Sequence, residues 1–184
     1  MQLTIQWMAI SVNERALISQ IAKQDEAALE CLYKLYYARL VRFLWRLTNQ
    51  RENIIEIVND TFYAVWNGAP NFRGQSTVST WILGIAYKKG LQKLRDDKAF
   101  PAVQEEACCE LGEVALEERH NTQLLRLLEP HHRIVMELSY YFGYSYREIA
   151  AIIDCPENTV KTRMHYGRRC LRQLMRETNY DKSA

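Results

Sequence analysis

Apolar residues recur along this chain at steps of three and four, the spacing that gathers them on one face of a helix. Between Asp25 and Thr48 the stripe is Ala28, Leu32, Leu35, Tyr36, Leu40, Phe43, Leu44 and Leu47, with Asp25 placed to cap it. Glu52 to Trp66 repeats the pattern through Ile55, Val58, Phe62, Val65 and Trp66, and stops at Asn67-Gly68-Ala69-Pro70, which opens a loop running to Ser79. Thr80 to Leu94 is helical again, with Trp81, Ile85 and Leu91 or Leu94 offered to a shared core. From Lys98 to about Arg119 the periodicity fades and Pro101 interrupts it. Four further helices are predicted, at Thr122–Leu128, His131–Phe142, Ser145–Ile153 and Pro156–Met175. The fold class is therefore all-α, with two small helical domains, 1–97 and 122–184, joined by a flexible linker over 98–121.

Composition agrees. The 184 residues are 48% apolar and 25% charged with seven Gly and four Pro, sparse punctuation for a β-rich fold. The longest stretch without Asp, Glu, Lys or Arg runs from Gly74 to Tyr87, short of a membrane span. No basic residue precedes Arg15 and no cleavage-site pattern follows, so a signal peptide is not expected and cytoplasmic residence is. Five scattered cysteines suit free thiols in a reducing compartment. The net charge of +2 hides a division: residues 98–121 carry six acids against two bases, while the blocks on either side are mildly basic. The linker is acidic.

The densest chemistry lies in YSYREIAAIIDCPENTVKTRMHYGRRCLRQL, where Ser145 and Glu148 form a capping box and Pro156 marks the start of a second helix. Two unequal helices across a brief turn, with Ile149, Ala150, Ile153, Val160 and Leu171 apolar, make a helix-turn-helix. The second helix presents Lys161, Arg163, Arg168, Arg169, Arg172 and Arg176 against one early acid, Glu157, and its Asn158 and Thr159 are short polar groups of the kind that reach base edges. A solvated basic face would show the same cations. Their union with a helix-turn-helix favours DNA.

With those residues in view, the chain resembles a bacterial sigma factor of the sigma-70 family, in its small two-domain extracytoplasmic function (ECF) group. LEPHHRIVMELSYYFGYSYREIAAIIDCPENTVKTRMHYGRRCLRQL is similar to the family's region 4, NIIEIVNDTFYAVW to region 2.2, and FRGQSTVSTWILGIA to regions 2.3 and 2.4, in the family's order. The resemblance implies a subunit that binds core RNA polymerase, recognises promoter DNA and helps open it, without being an enzyme and without a cofactor, and that an anti-sigma factor restrains. It implies polymerase contact through Glu56, Asn59 and Asp60, although Ile55 stands where relatives usually carry an acid and Asn59 where they carry glutamine. It implies minus-10 contact through Phe72, Arg73, Gln75, Ser76 and Thr77, a loop chemically able to hold a flipped base, with Lys88, Lys89, Lys93 and Arg95 as a cationic face for phosphates. Tyr87, Lys88 and Gln92 depart from the family's usual Arg, Asn and Asp. For the minus-35 element it implies Asn158, Thr159, Lys161 and Arg163 nearest the bases and Arg168 and Arg169 on the backbone. The acidic linker would follow the nascent-RNA path or serve as a plain solvated tether.

Other chemistry fails on spacing. Cys108, Cys109 and His120 do not match zinc-ligand patterns, His131 and His132 read as exposed helix-opening residues, and no metal is expected. No glycine-rich phosphate loop and no nucleophile-base order occur, so no catalytic residue is assigned. The competing reading is a stand-alone helix-turn-helix regulator that binds an operator unaided. No membrane insertion is expected under either.

Overall fold

The computed structural model describes residues 13–48, 51–96 and 124–181, and among these every regular element is a helix. Seven α-helices follow in order: α1 (Glu14–Ile21), α2 (Glu26–Leu47), α3 (Arg51–Gly68), α4 (Val78–Asp96), α5 (Pro130–Tyr140), α6 (Tyr146–Ile153) and α7 (Glu157–Asp181), with a 3-10 turn at Ala69–Asn71 closing α3. The linker over 98–121, with Cys108, Cys109 and His120, lies outside the described residues.

Helix α1 was not expected from periodicity, because eight residues offer only two fully buried positions, Ile18 and Ile21. Asn13 starts it by accepting from the Ala16 N–H at 3.1 Å, and the Tyr36 hydroxyl donates to Glu14 Oε1 at 2.8 Å, fastening it to α2. Asp25 caps α2 as its sequence predicts, accepting from the Ala28 N–H at 3.1 Å. The α2 stripe Leu32, Tyr36, Leu40, Phe43 and Leu44 buries against Ile54, Ile57, Val58 and Val65 of α3 and Ile82, Leu83 and Ala86 of α4. Within the helix predicted over 122–128, residues 124–126 are helical; Leu124 is buried, and Leu125 and Leu128 join the second core.

That second core is Ile134, Val135, Met136 and Leu138 of α5, Ile149, Ile152 and Ile153 of α6, and Val160 and Met164 of α7. Gly167, which costs a helix about 1 kcal/mol relative to alanine, is where α5 and α7 cross. A Cβ there would lie 2.8 Å from Met136 Sδ and 3.5 Å from His132 Cβ.

The lobes meet along a seam. On α2, Arg39, Phe43 and Arg46 share a face at steps of four and three, and each meets an aromatic ring of the C-terminal lobe. Arg39 lies 5.1 Å from the Tyr144 ring centre, Phe43 meets Phe142 edge-on at 6.0 Å, and Arg46 stacks 3.9 Å over Tyr141. The Arg46 guanidinium also reaches Glu137 Oε1 at 3.5 Å. On α4, the Ser79 hydroxyl hydrogen-bonds the Tyr144 hydroxyl, and Lys88 pairs with Asp154 at 2.8 Å.

Glu137 is the unusual member, 3% exposed with no hydrogen-bond partner for its Oε2. Burial pushes its carboxyl up to about 7, while Arg46 across the seam, and Arg133 and Arg126 within the lobe, pull the other way. A carboxyl raised above its free value of 4.5 holds its proton more tightly in the packed state, so its stabilisation is complete below about 4.5 and is lost as pH rises through 7. Thermal unfolding should therefore show a midpoint that falls between pH 5 and 7.5 in the wild type, and a flatter profile in Glu137→Gln. In parallel, Gly167→Leu should cost roughly 1–3 kcal/mol through overpacking at the α5/α7 crossing, read by denaturant titration.

Candidate nucleic-acid interface

The helix-turn-helix is built from local bonds that its sequence specifies. Ser145 Oγ accepts from the Glu148 N–H at 3.3 Å, and Glu148 Oε2 accepts from the Ser145 N–H at 2.9 Å and from its hydroxyl at 2.7 Å, so the predicted capping box is formed. Helix α6 ends at Asp154 in the left-handed region, φ +54°, with the Cys155 N–H returning to the Ala150 carbonyl at 3.0 Å. Cys155 thus belongs to this terminator. Pro156 then precedes α7, whose buried face is Val160, Met164 and Gly167.

Geometry sorts the α7 polar residues. Asn158, Lys161, Arg168 and Arg169 are exposed, and Thr159 and Arg163 are half-buried. Asn158, Thr159, Thr162, Arg163 and Tyr166 line one side of an open concavity of about 560 Å³, with His131 and His132 from α5 on the other. Lys161 is paired with Glu157 at 2.9 Å. Arg168 donates to the hydroxyls of Tyr140 at 3.0 Å and Tyr146 at 3.2 Å, and Arg169 lies 5.1 Å from the Tyr166 ring centre. Thr162 and Tyr166 are not among the residues expected at this surface from the sequence. Helical steps of four from Asn158 through Thr162 to Tyr166 carried the signal for both. His132 is less open than its sequence position suggested; burial, with His131 and Arg163 nearby, lowers its pKa. The Glu129 carboxylate lies 3.1 Å from His131 Nε2 and 3.9 Å from His132 Nδ1.

In the N-terminal lobe, the loop after the 3-10 turn folds around Gly74 at φ +69°. Phe72 packs on Trp81 at 4.8 Å between ring centres, and with Asn71, Arg73, Gln75 and Ser76 the pair lines a shallow notch of about 180 Å³. Arg73 and Gln75 are exposed at its rim. Thr77 does not join the notch: its hydroxyl accepts from the Thr80 N–H at 3.1 Å, capping α4.

The α4 cations are engaged with acids. Lys88 pairs with Asp154, Lys89 with Asp60 at 3.8 Å, and Lys93 with Glu56 at 2.8 Å, while Arg95 donates to the Leu91 carbonyl. Glu56, Asn59 and Asp60 stand exposed on α3, flanked by Ile55 and Tyr63, which are 47% and 71% exposed. Ile55, which the periodicity places in the apolar stripe of this helix, faces outward beside Tyr63, and Ile54 and Ile57 take the buried positions instead. Among the described residues no helix is long and apolar enough to cross a membrane.

Two family models match these two lobes. Residues 32–100 match sigma-70 region 2, and residues 122–171 match sigma-70 region 4. The chain is 26% identical over 167 residues to the RNA polymerase sigma factor YlaC of Bacillus subtilis, covering 84% of this chain and 96% of that one. It is 28% identical over 172 residues to the ECF RNA polymerase sigma factor SigL of Mycobacterium tuberculosis, covering 88% and 97%. The fold matches CnrH, solved in complex with the cytosolic domain of CnrY, at a TM-score of 0.67 and 24% identity over 89% of this chain and 97% of that one. It also matches the sigma factor RpoE of Bartonella quintana, solved with the anti-sigma factor NepR, at 0.64 and 22% over 80% and 96%. A two-lobed helical protein with a basic helix-turn-helix is thus defined as a transcription initiation factor. The chain belongs to the sigma-70 family of RNA polymerase sigma factors, in its ECF group.

The capping box gives a direct check on the C-terminal lobe. Ser145→Ala should cost about 1 kcal/mol, read as a lowered denaturation midpoint, with a smaller loss in Ser145→Thr.

Proposed function

We propose that this chain acts in the cytoplasm as the promoter-specificity subunit of RNA polymerase, lending recognition and melting to the core enzyme rather than catalysing a reaction. Its domains divide at 1–97, 98–121 and 122–184. The exposed α3 face around Glu56, Asn59 and Asp60 docks on core polymerase. The notch formed by Phe72, Arg73, Gln75 and Ser76 receives a base extruded at the minus-10 element, where unstacking costs a few kcal/mol and must be offset by stacking and hydrogen bonding. Thr77 acts by holding the start of α4. The cations Lys88, Lys89, Lys93 and Arg95 meet phosphates once their acidic partners yield. Helix α7 enters the major groove at the minus-35 element with Asn158, Thr159, Lys161 and Arg163 foremost, while Arg168 and Arg169 steady the backbone. A partner that blocks these surfaces would act as an anti-sigma factor, the class of partner with which RpoE of Bartonella quintana was solved.

The single observation that carries this reading is the pairing on one chain of a capped helix-turn-helix bearing a basic α7 with a second lobe whose loop notch is lined by stacking and hydrogen-bonding groups. The test is run-off transcription with purified core enzyme on a genomic fragment library. Discrete transcripts that require this chain are expected. A footprint on DNA by the chain alone, without transcripts on adding polymerase, would instead identify a stand-alone regulator.

Two quantitative outcomes follow. Lys161→Ala and Arg163→Ala should each lower transcription from the cognate promoter at least about fivefold if they read bases, a loss of about 1–3 kcal/mol. If six phosphates are neutralised in all, promoter affinity in the holoenzyme should fall with salt at a log-log slope of about 5.

A further inference from the structure

We propose that Glu129, His131 and His132, at the start of α5, form a binding site for a divalent transition-metal ion of the zinc class.

The spacing of the donors comes first. The Glu129 carboxylate lies 3.1 Å from His131 Nε2 and 3.9 Å from His132 Nδ1, and one donor atom from each of the three residues falls within 4.8 Å of the others. Zinc takes nitrogen and carboxylate oxygen at about 2.0–2.2 Å in a tetrahedron, which sets its donors roughly 3.3–3.6 Å apart. The spacings found straddle that range, so small side-chain rotations close the site.

The carboxylate is also free for the task. Glu129 precedes α5 at a position where Ser, Thr, Asp or Asn would ordinarily cap the helix. Its side chain makes no cap hydrogen bond and turns to the two imidazoles instead. Its main-chain carbonyl accepts from the N–H groups of His132 and Arg133, both at 2.9 Å, and Pro130 restricts the backbone between them. The two rings pack on each other at 4.1 Å between centres. One turn of chain thus holds all three donors together.

The donor set selects the ion. Imidazole nitrogen suits zinc, copper, nickel and iron, whereas magnesium and calcium seek oxygen alone. A helix N-terminus carries partial positive charge that opposes any cation, so the negative charge of Glu129 matters as well as its oxygen. Three protein donors leave a fourth position to water. Because His131 and His132 line the concavity, an ion held by them stands on the wall facing Asn158 and Arg163, side chains assigned above to promoter DNA. The expectation of no metal, drawn from ligand spacing, is thereby revised, since spacing does not show where the Glu129 carboxylate turns.

The test is titration of the full chain with zinc chloride in excess magnesium, comparing the wild type with His131→Ala and Glu129→Gln, and with His165→Ala on α7 as the control. Glu129, His131 and His165 are all exposed, so these variants keep the fold. The wild type and His165→Ala should bind an equivalent of zinc that the other two variants lose or bind at least about tenfold more weakly, because loss of even an outer-shell partner of a metal ligand costs that much. The chain also carries five cysteines, whose thiolates bind zinc. Cobalt(II) therefore serves as a second probe: the equivalent lost in His131→Ala should absorb in the visible without a thiolate-to-cobalt charge-transfer band. Zinc should in addition raise the thermal midpoint of the wild type and not that of His131→Ala. Equal zinc binding by the wild type and His131→Ala, or a lost equivalent that carries the thiolate band, overturns the proposal. None of these measurements involves polymerase or DNA, so failure of the run-off assay would strike the functional reading and leave the metal site standing.

Discussion

The carboxyl of Glu137, buried in one lobe and facing Arg46 of the other, is the constraint around which the rest of this molecule is arranged. An ionised carboxylate at this depth is costly without full pairing, and one 3.5 Å contact with an unbonded second oxygen is not full pairing. The protein meets that cost by holding the group close to neutrality, with a pKa of about 7, and by massing arginines near it. The two lobes are also joined by close packing of α4 on α6 at Gly84 and by the aromatic contacts of Arg39, Phe43 and Arg46.

Compromise also marks the electrostatics of the functional surfaces. The acids and bases that the sequence offers to polymerase and to DNA are largely spent on one another: Lys93 on Glu56, Lys89 on Asp60, Lys88 on Asp154 and Lys161 on Glu157. Exposed pairs of this kind contribute little to stability. Exchange of a carboxylate for a phosphate therefore costs little.

Local chemistry was legible in the sequence. The capping box, the Asp25 cap and the apolar stripes of α2, α6 and α7 are short-range features, and each forms with the partners its spacing implied. What the sequence hid is non-local. Gly167 costs its helix when read locally, and the α5 atoms that require it lie about thirty residues away. Thr77 has a hydroxyl suited to a base pocket, and only the position of Thr80 shows that it is a helix cap. Arg168 read as a free phosphate clamp, yet Tyr140 and Tyr146 already hold it. Glu137 drew no notice, although an acid between Met136 and Leu138 in a buried frame was itself a signal. No periodicity encodes which lobe it faces.

On the proposed function, the two lobes that touch along the seam in this structure must stand far apart on a promoter. Pulsed electron spin measurement of the distance between labels at Lys34 and Met175 addresses it most directly, first in the free chain and then in a complex with core polymerase and promoter. A single short distance is expected in the free chain, lengthening by several tens of ångströms in the complex, since elements about 25 base pairs apart at 3.4 Å per pair are separated by roughly 85 Å. The same distance in both states would contradict it.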